Sequence, residues 1–306
     1  MNRGNPSPPT PLPQGERGGR IRELLANAVL KLQASSESAR ADAEILLAHC
    51  LQKSRTWLFT WPEKEVDSTI ATAFMRLLDE RSKGVPIAHL TGQREFWTLN
   101  LKVTPDTLIP RPETELLVET ALLLLPSPLE GEGLGVRGYS LLDLGTGTGA
   151  IALAIASERP DAHVIACDFS PAALAVAQEN AHAHHIRNVQ FVQSDWFGAL
   201  PAQRFSLIVS NPPYIETDDP HLRQGDVRFE PLSALASGMD GLDDIRHIIQ
   251  TAPQWLEAGG WLLLEHGYNQ GASVTALLRN AGFQKVRCLP DLAGNDRVSV
   301  GQWLQG

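Results

Sequence analysis

From residue 140 to the end, short runs rich in apolar residues alternate with longer stretches of helical period. The runs at 140–144, 163–167, 189–193, 205–209 and 261–264 have the length and character of strands. Between them, 150–158, 171–182, 243–256 and 270–281 carry the 3.6-residue spacing of helices packed on one side. The order β-α-β-α-β implies a mostly parallel sheet covered on both faces. Two further runs, 285–289 and 298–303, are joined by a polar turn and predict a closing hairpin that adds one antiparallel strand. The expected fold class is therefore α/β, a doubly wound and mostly parallel sheet of seven strands.

Upstream the pattern changes. Ile21, Leu24, Leu25, Ala28, Val29 and Leu32 lie on one helical face, and 41–51 and 70–78 repeat the spacing, the last after an expected N-cap at Ser68. Gly84 ends this block, which predicts a small domain of three to five helices over 20–84. Residues 95–103 are rich in aromatic and β-branched side chains and predict a β-hairpin within a linker over 85–110. Pro112 then suits the first turn of a helix running to about Leu125, with Glu113 and Glu115 at its positive end. The catalytic domain is expected over 111–306. Residues 1–19 and 126–138 share a Pro-Ser-Pro and Gly-Glu-rich composition and are expected to be a disordered tail and a low-complexity surface insertion.

A chain of 306 residues has room for two domains and a large core. Its formal charge of −9 argues against long nucleic acid as the main partner, which ordinarily requires a basic surface. Cys50, Cys167 and Cys288 are far apart and read as reduced thiols rather than a metal or redox site. No apolar h-region opens the chain, and no apolar run approaches the ~18 residues of a membrane span. A cytoplasmic monomer with no membrane association and no metal is expected.

Candidate chemistry begins at the first strand of the alternating region. Asp143-Leu144-Gly145-Thr146-Gly147-Thr148-Gly149 leads from strand to helix, where glycines let the backbone turn tightly and approach a ligand. Asp168 ends the next strand, 19 residues past Gly149, a spacing suited to hydrogen bonds with both ribose hydroxyls of a nucleoside. The turn also satisfies the dinucleotide fingerprint in its Gly/Ala form, so on this signal alone NAD and S-adenosylmethionine both stay open. Asp143 at the strand end, placed to meet a methionine ammonium group, favours S-adenosylmethionine. So does Ser194-Asp195-Trp196 after the third strand, which offers an acid and a ring near an adenine, although core packing also accounts for Trp196.

The fourth strand runs into Ser210-Asn211-Pro212-Pro213-Tyr214. Two consecutive prolines stop the strand and remove two N–H donors. What remains is a side-chain amide, carbonyls and an aromatic ring. This set suits a planar NH2 group whose lone pair is delocalised. Asn211 Oδ1 and the Pro212 carbonyl can each accept one of its N–H bonds, and Tyr214 can stack on its plane. A plain turn is the alternative, since Asn and Pro are common turn residues.

Several stretches together resemble the protein-glutamine N5-methyltransferase family that modifies peptide chain release factors (the HemK/PrmC type). They are Pro86–Gly92, Leu108-Ile109-Pro110-Arg111-Pro112-Glu113-Thr114-Glu115, Leu142–Gly149, Ser194–Trp196, Asn211–Ile215, Arg228-Phe229-Glu230-Pro231 and Leu264-Glu265-His266-Gly267. The resemblance spans about Ile21 to Leu304; the tail and the 126–138 insertion depart from it and lie outside its motifs. It implies a class I S-adenosylmethionine-dependent methyltransferase fold and, as substrate, the glutamine of the Gly-Gly-Gln loop in class I release factors. It also implies cofactor contacts at Gly145, Thr146, Gly147, Thr148, Gly149, Asp168, Trp196 and Asn211. Substrate contacts are implied at Asn211, Pro212, Pro213 and Tyr214, with Asn211, Pro212 and Tyr214 catalytic and the helical domain recognising substrate.

Other candidates are blander. His182, His184 and His185 read as a solvated helix face, His266 as a structural histidine or a pocket residue, and Asp218, Asp219 and Asp226 as a polar loop. Arg228 and Glu230 read as a loop closing over substrate or as a surface ion pair. An N6-adenine nucleic-acid methyltransferase, an NAD-dependent oxidoreductase and a non-catalytic regulator stay as competing functions, separable by nucleic-acid binding, NAD binding and loss of turnover.

Overall fold

The computed structural model describes residues 17–125 and 138–305. Most of the 1–19 tail and all but Gly138 of the 126–138 insertion lie outside them. The chain divides into two compact units, 1–91 and 92–306. The boundary follows Thr91 rather than Gly84, because a further short helix precedes the hairpin.

In the first unit, β1 (Arg17–Arg20) pairs antiparallel with β2 (Glu65–Asp67). The end of the expected disordered tail is therefore an ordered strand: Gly18 packs so closely on Ala71 that a Cβ there would lie 2.5 Å from it. The helices are α1 (Ile21–Leu32), α2 (Ala39–Leu51), α3 (Arg55–Thr60), α4 (Ser68–Ser82) and α5 (Ile87–Thr91). Asp67 caps α4 by accepting from the Thr69 amide at 2.8 Å, so Ser68 is the first helical residue and not the cap. Leu46, Leu47, Phe74 and Leu78 are fully buried between these helices, each stabilising by about 1.5–3 kcal/mol on transfer from water. The buried Arg81 pairs with Asp42 at 2.7 Å.

The second unit opens with a hairpin, β3 (Gln93–Phe96) and β4 (Leu99–Lys102), turning at Trp97 with φ of 56°. A 3₁₀ turn (Pro112–Thr114) leads into α6 (Glu115–Leu124). Then follow β5 (Ser140–Leu144), α7 (Ala150–Glu158), β6 (His163–Asp168), α8 (Pro171–Ala183), β7 (Val189–Gln193), β8 (Phe205–Ser210), α9 (Asp243–Thr251), β9 (Leu256–Glu265), α10 (Gly271–Asn280), β10 (Gln284–Pro290) and β11 (Asp296–Gln302). The seven strands lie in the order β10-β11-β9-β8-β5-β6-β7, with only β11 antiparallel to its neighbours. This is a doubly wound, mostly parallel sheet.

Alternation along the strands divides the core. Leu141, Val164, Leu207 and Leu263 face α6 and α7, whereas Leu142, Ile165, Ile208 and Leu262 face α9 and α10. The helix expected over 243–256 stops at Thr251, because Pro253 lies in a 3₁₀ turn and Leu256 already pairs with Phe205. Strand β9 consequently begins before the expected residue 261, and its Gly259-Gly260 step shifts the register against β8.

Candidate active site

Strands β5 and β8 are adjacent, parallel and in register, with Leu144 opposite Ser210. The strand order reverses at this pair, where open α/β sheets form their ligand crevice. Both turns that leave it carry candidate chemistry.

After β5 the chain makes a tight turn in which Gly145, Gly147 and Gly149 all have positive φ. The amides of Gly145 and Thr146 donate to the Cys167 carbonyl, each at 2.9 Å. The Gly147 amide donates to Asp168 Oδ2 at 2.8 Å, and Asp168 Oδ1 accepts from Ser170 at 2.9 Å. Burial raises the Asp168 pKa, opposed by these two amides. Each oxygen keeps a second lone pair for a ligand hydroxyl. Trp196, at φ of 47°, sets its ring 3.6 Å from the position a Gly145 Cβ would take. This strained backbone is held by Ser194, whose hydroxyl donates to the Trp196 carbonyl at 2.7 Å.

A cavity of about 410 Å³ is walled by Gly145, Gly147, Asp168, Asp195, Trp196 and Asn211. A Cβ on Gly147 would meet nothing within 4 Å, so the turn leaves open space on that side. An acid at a strand end, a ring, and glycine backbone around one cavity fit a nucleoside-bearing cofactor such as S-adenosylmethionine. Thr146, Thr148 and Gly149 do not wall this cavity. Thr146 donates its hydroxyl to Asp143 at 2.7 Å, and the buried Thr148 offers its carbonyl to Asn180. A Cβ on Gly149 would meet Leu153 at 3.0 Å, so its glycine serves close helix packing.

Asp143 lies elsewhere than the sequence implied. It is wholly enclosed beneath the turn, with Oδ2 accepting from Thr146 and from the Ala152 amide at 3.2 Å. It does not wall the cavity and so does not stand where an ammonium group would meet it. Desolvation pushes its pKa up to about 7, against those two hydrogen bonds.

After β8 comes the proline turn. A second cavity, of about 150 Å³, is walled by Leu108, Arg111, Asn211, Pro212, Tyr214 and Val227, among others. Asn211 belongs to both cavities and stands between them, while Pro213 faces the larger one. The amides of Tyr214 and Ile215 both donate to the Leu235 carbonyl, and Gln270 Nε2 donates to the Tyr214 carbonyl at 3.0 Å. The turn is thereby pinned from both sides.

Of the two readings of the Arg-Phe-Glu-Pro stretch, a loop closing over substrate or a surface ion pair, the second does not describe Glu230. The Glu230 carboxylate is buried and accepts from the Ile109 amide at 2.9 Å and from the Arg111 guanidinium. It therefore fastens the Ile109–Glu115 stretch beside the second cavity, and its ionic partner is Arg111. His266 is fully buried, 2.8 Å from Ser299 Oγ and away from both cavities. Burial lowers its pKa, as expected of a structural neutral imidazole.

Three residues here have no role in the sequence reading: Thr114, Glu265 and Gln270. Thr114 and Glu265 are buried polar groups. Each sits in a stretch that the motif reading singled out, but only as part of a family pattern.

The chain matches the model of the PrmC N-terminal domain over residues 23–92 and that of the Methyltransferase small domain over 119–225. The release factor glutamine methyltransferase of Escherichia coli (strain K12) is 50% identical over 281 residues, spanning 92% of this chain and 98% of that protein. Its namesake from Vibrio cholerae serotype O1 is 52% identical over 285 residues, spanning 92% and 96%. The hMettl16 catalytic domain, solved in complex with MAT2A 3′UTR hairpin 6, shares the fold at 14% identity, with a TM-score of 0.53 over 80% of this chain and 86% of that one.

Proposed function

The chain belongs to the release factor glutamine methyltransferase family, and on that premise we propose how its own residues carry out the reaction. It transfers a methyl group from S-adenosylmethionine to the side-chain amide nitrogen of the glutamine in the Gly-Gly-Gln loop of class I peptide chain release factors. The observation that carries this reading is the placement of Asn211 in the wall shared by the two cavities. The larger one takes the cofactor and the smaller one takes the glutamine side chain.

In the larger cavity, Gly145, Gly147, Asp168 and Trp196 would hold the cofactor, the Asp168 carboxylate supplying acceptors for hydroxyl groups and the Trp196 ring an apolar face for the base. Thr146, Thr148 and Gly149 keep the turn in shape. When bound, the cofactor supplies a methyl group already activated by a sulfonium.

An amide nitrogen is a poor nucleophile because its lone pair is shared with the carbonyl. Asn211 Oδ1 and the Pro212 carbonyl accept its two N–H bonds and fix the lone pair toward the methyl. Tyr214 bounds the amide plane, and the Tyr214 hydroxyl is held by Glu265 at 3.4 Å. Alignment of this kind is worth effective molarities of about 10⁵ M or more. A bound cofactor would supply the methyl to this nitrogen and leave as the neutral thioether with the C–S electron pair, and the strongly acidic proton then left on the nitrogen would pass to solvent water. A strong general base is unnecessary, in keeping with the absence of His and Asp from Asn211–Tyr214.

The formal charge of −9 supports a protein rather than a nucleic-acid partner. No helix among the described residues is long and apolar enough to cross a membrane. We take the enzyme to act as a cytoplasmic monomer.

Tritiated methyl transfer to purified release factor tests the assignment. Label is expected on the wild-type factor and not on a Gln→Ala version of its Gly-Gly-Gln loop. Equal labelling of both overturns it.

A further inference from the structure

Leu108, Asn211 and Ala234 each wall both cavities. Asn211 is the polar one, and on the reading given above it receives the substrate amide. Leu108 and Ala234 are apolar and partly buried. The three come from separate stretches of chain, and a shared wall built from them needs something to hold it together.

Hydrogen bonds join the three stretches in a circuit. The Ile109 amide, in the peptide bond that follows Leu108, donates to the buried Glu230 carboxylate at 2.9 Å, and the Arg111 guanidinium donates to the same group. From Glu230 the chain enters a short turn in which the Ala234 amide donates to the Pro231 carbonyl at 2.9 Å. The next carbonyl, that of Leu235, accepts from the Tyr214 and Ile215 amides at 3.1 and 2.8 Å and so ties Ala234 to the proline turn. Asn211 Nδ2 then donates to Thr114 Oγ1 at 3.2 Å, in the stretch that began at Leu108. The circuit closes on itself. It does not widen at one point without loss of a hydrogen bond at another, and a buried carboxylate left short of donors is costly.

An alkyl group moving from sulfur to the amide nitrogen has to cross this ring, because the reacting atoms must approach to about 3–3.5 Å. Leu108 and Ala234 offer no side-chain hydrogen bond there. Their contribution is bulk, and bulk in a ring that does not give limits the size of what crosses.

We propose that Leu108 and Ala234 are specificity-determining residues that size the passage between the two cavities, so that a methyl group crosses and a longer alkyl chain is rejected. The proposal rests on the glutamine-methylation reading. It gives the buried Glu230 a function in the reaction without contact with either ligand: through the Ile109 amide it holds the Leu108 side of the ring against the Ala234 side.

The test supplies release factor together with S-adenosylmethionine or with its S-ethyl analogue, S-adenosylethionine. In either case the alkyl carbon bonds to the amide nitrogen as its bond to sulfur breaks. The sulfur keeps that electron pair and leaves as the neutral thioether, and the proton shed by the nitrogen passes to water. Ethyl transfer is intrinsically the slower, so the quantity compared between proteins is the ratio of ethyl to methyl kcat, with the product identified by mass. Leu108→Ala is expected to raise this ratio at least about tenfold over wild type, the scale on which an apolar pocket senses one methylene. Leu108→Val should fall between the two. Ala234→Val narrows the ring and should lower methyl kcat by about ten- to a hundredfold. The Kd of each protein for S-adenosylmethionine and for S-adenosylethionine, read by calorimetry without release factor, should change far less than these rates.

Ratios in Leu108→Ala and Leu108→Val equal to wild type overturn the proposal, as does an Ala234→Val enzyme that methylates at the wild-type rate. An S-adenosylethionine Kd that tightens in step with the ratio places the selection in the cofactor cavity and overturns it too. If Leu108→Ala proves unfolded in a thermal scan, the smaller truncation Leu108→Val carries the test. A wild type that leaves the release factor unlabelled from S-adenosylmethionine means that the substrate assignment has failed. Normal methylation with ratios indifferent to side-chain size means that the passage alone has.

Discussion

Two turns leave the sheet side by side, one after β5 and one after β8, and they are built from opposite materials. The first is rich in glycine and keeps its N–H groups, three of which donate to the Cys167 carbonyl and Asp168. The second has prolines at 212 and 213 and has lost two donors. One wall of the crevice is thus rich in directed backbone donors and the other in acceptors; on the proposed reading the first organises an acid for a nucleoside and the second receives an NH2. Each is backed by a buried carboxyl group whose pKa burial raises to about 7, Asp143 beneath the glycine turn and Glu265 behind the proline turn. Position on the sheet alone does not decide what a turn binds; its balance of N–H and C=O groups does.

The comparison breaks most sharply at Asn211. Asn211→Ala removes the side-chain acceptor from the proline turn and should reduce kcat by about 10²–10³, the cost of losing one directed group at a reacting centre. Cofactor Kd should move far less. A variant that turns over normally with full methyl transfer to glutamine would falsify the hydrogen-bonding account.

The next effect belongs to the glycine turn and should have the opposite kinetic character. Asp168→Ala removes a carboxylate held by Gly147 and Ser170 and should weaken S-adenosylmethionine binding by about ten- to a hundredfold, on the scale of a lost pair of charge-assisted hydrogen bonds. At saturating cofactor, kcat should be largely recovered. If the loss sits in kcat and not in Kd, the division of labour between the turns is wrong.

The smallest effect concerns stability. The folded-state pKa of Asp143 is raised from 3.8 to about 7, so folding favours its protonated form. Its favourable contribution is present below the unfolded value and is lost as the pH rises from about 4 through about 7. Asp143→Asn keeps an acceptor for Thr146 and Ala152 without the charge. Thermal unfolding should show the two proteins close at pH ~3 and the variant more stable by roughly 1–4 kcal/mol at pH ~8. A gap that shrinks with rising pH has the wrong sign and would show that Asp143 is ionised in the fold.

Local composition made much of this legible in the sequence. Runs buried on both faces, glycines in a strand-to-helix turn and an acid at the next strand end are short-range patterns, and they located β5 and the turn and acid, Gly145, Gly147 and Asp168, that wall the larger cavity. The Asn-Pro-Pro-Tyr turn was legible for the same reason, since adjacent prolines have the same backbone consequence wherever they occur. What failed was local where a competing rule won. The helix expected to reach Leu256 is cut short by Pro253, and Asp67, not Ser68, caps α4.

The sequence by itself determined the sheet, the two turns and the balance of N–H and C=O groups at each, because those follow from backbone chemistry within a few residues. Only the tertiary structure decided which distant side chains stand behind them. Glu230 reaches back across 119 residues to Arg111, Thr114 meets Asn211 across 97, and Tyr214 meets Glu265 across 51. Such pairings leave no periodic trace, because burial and hydrogen-bond satisfaction are settled by the packing of elements that the chain brings together only on folding.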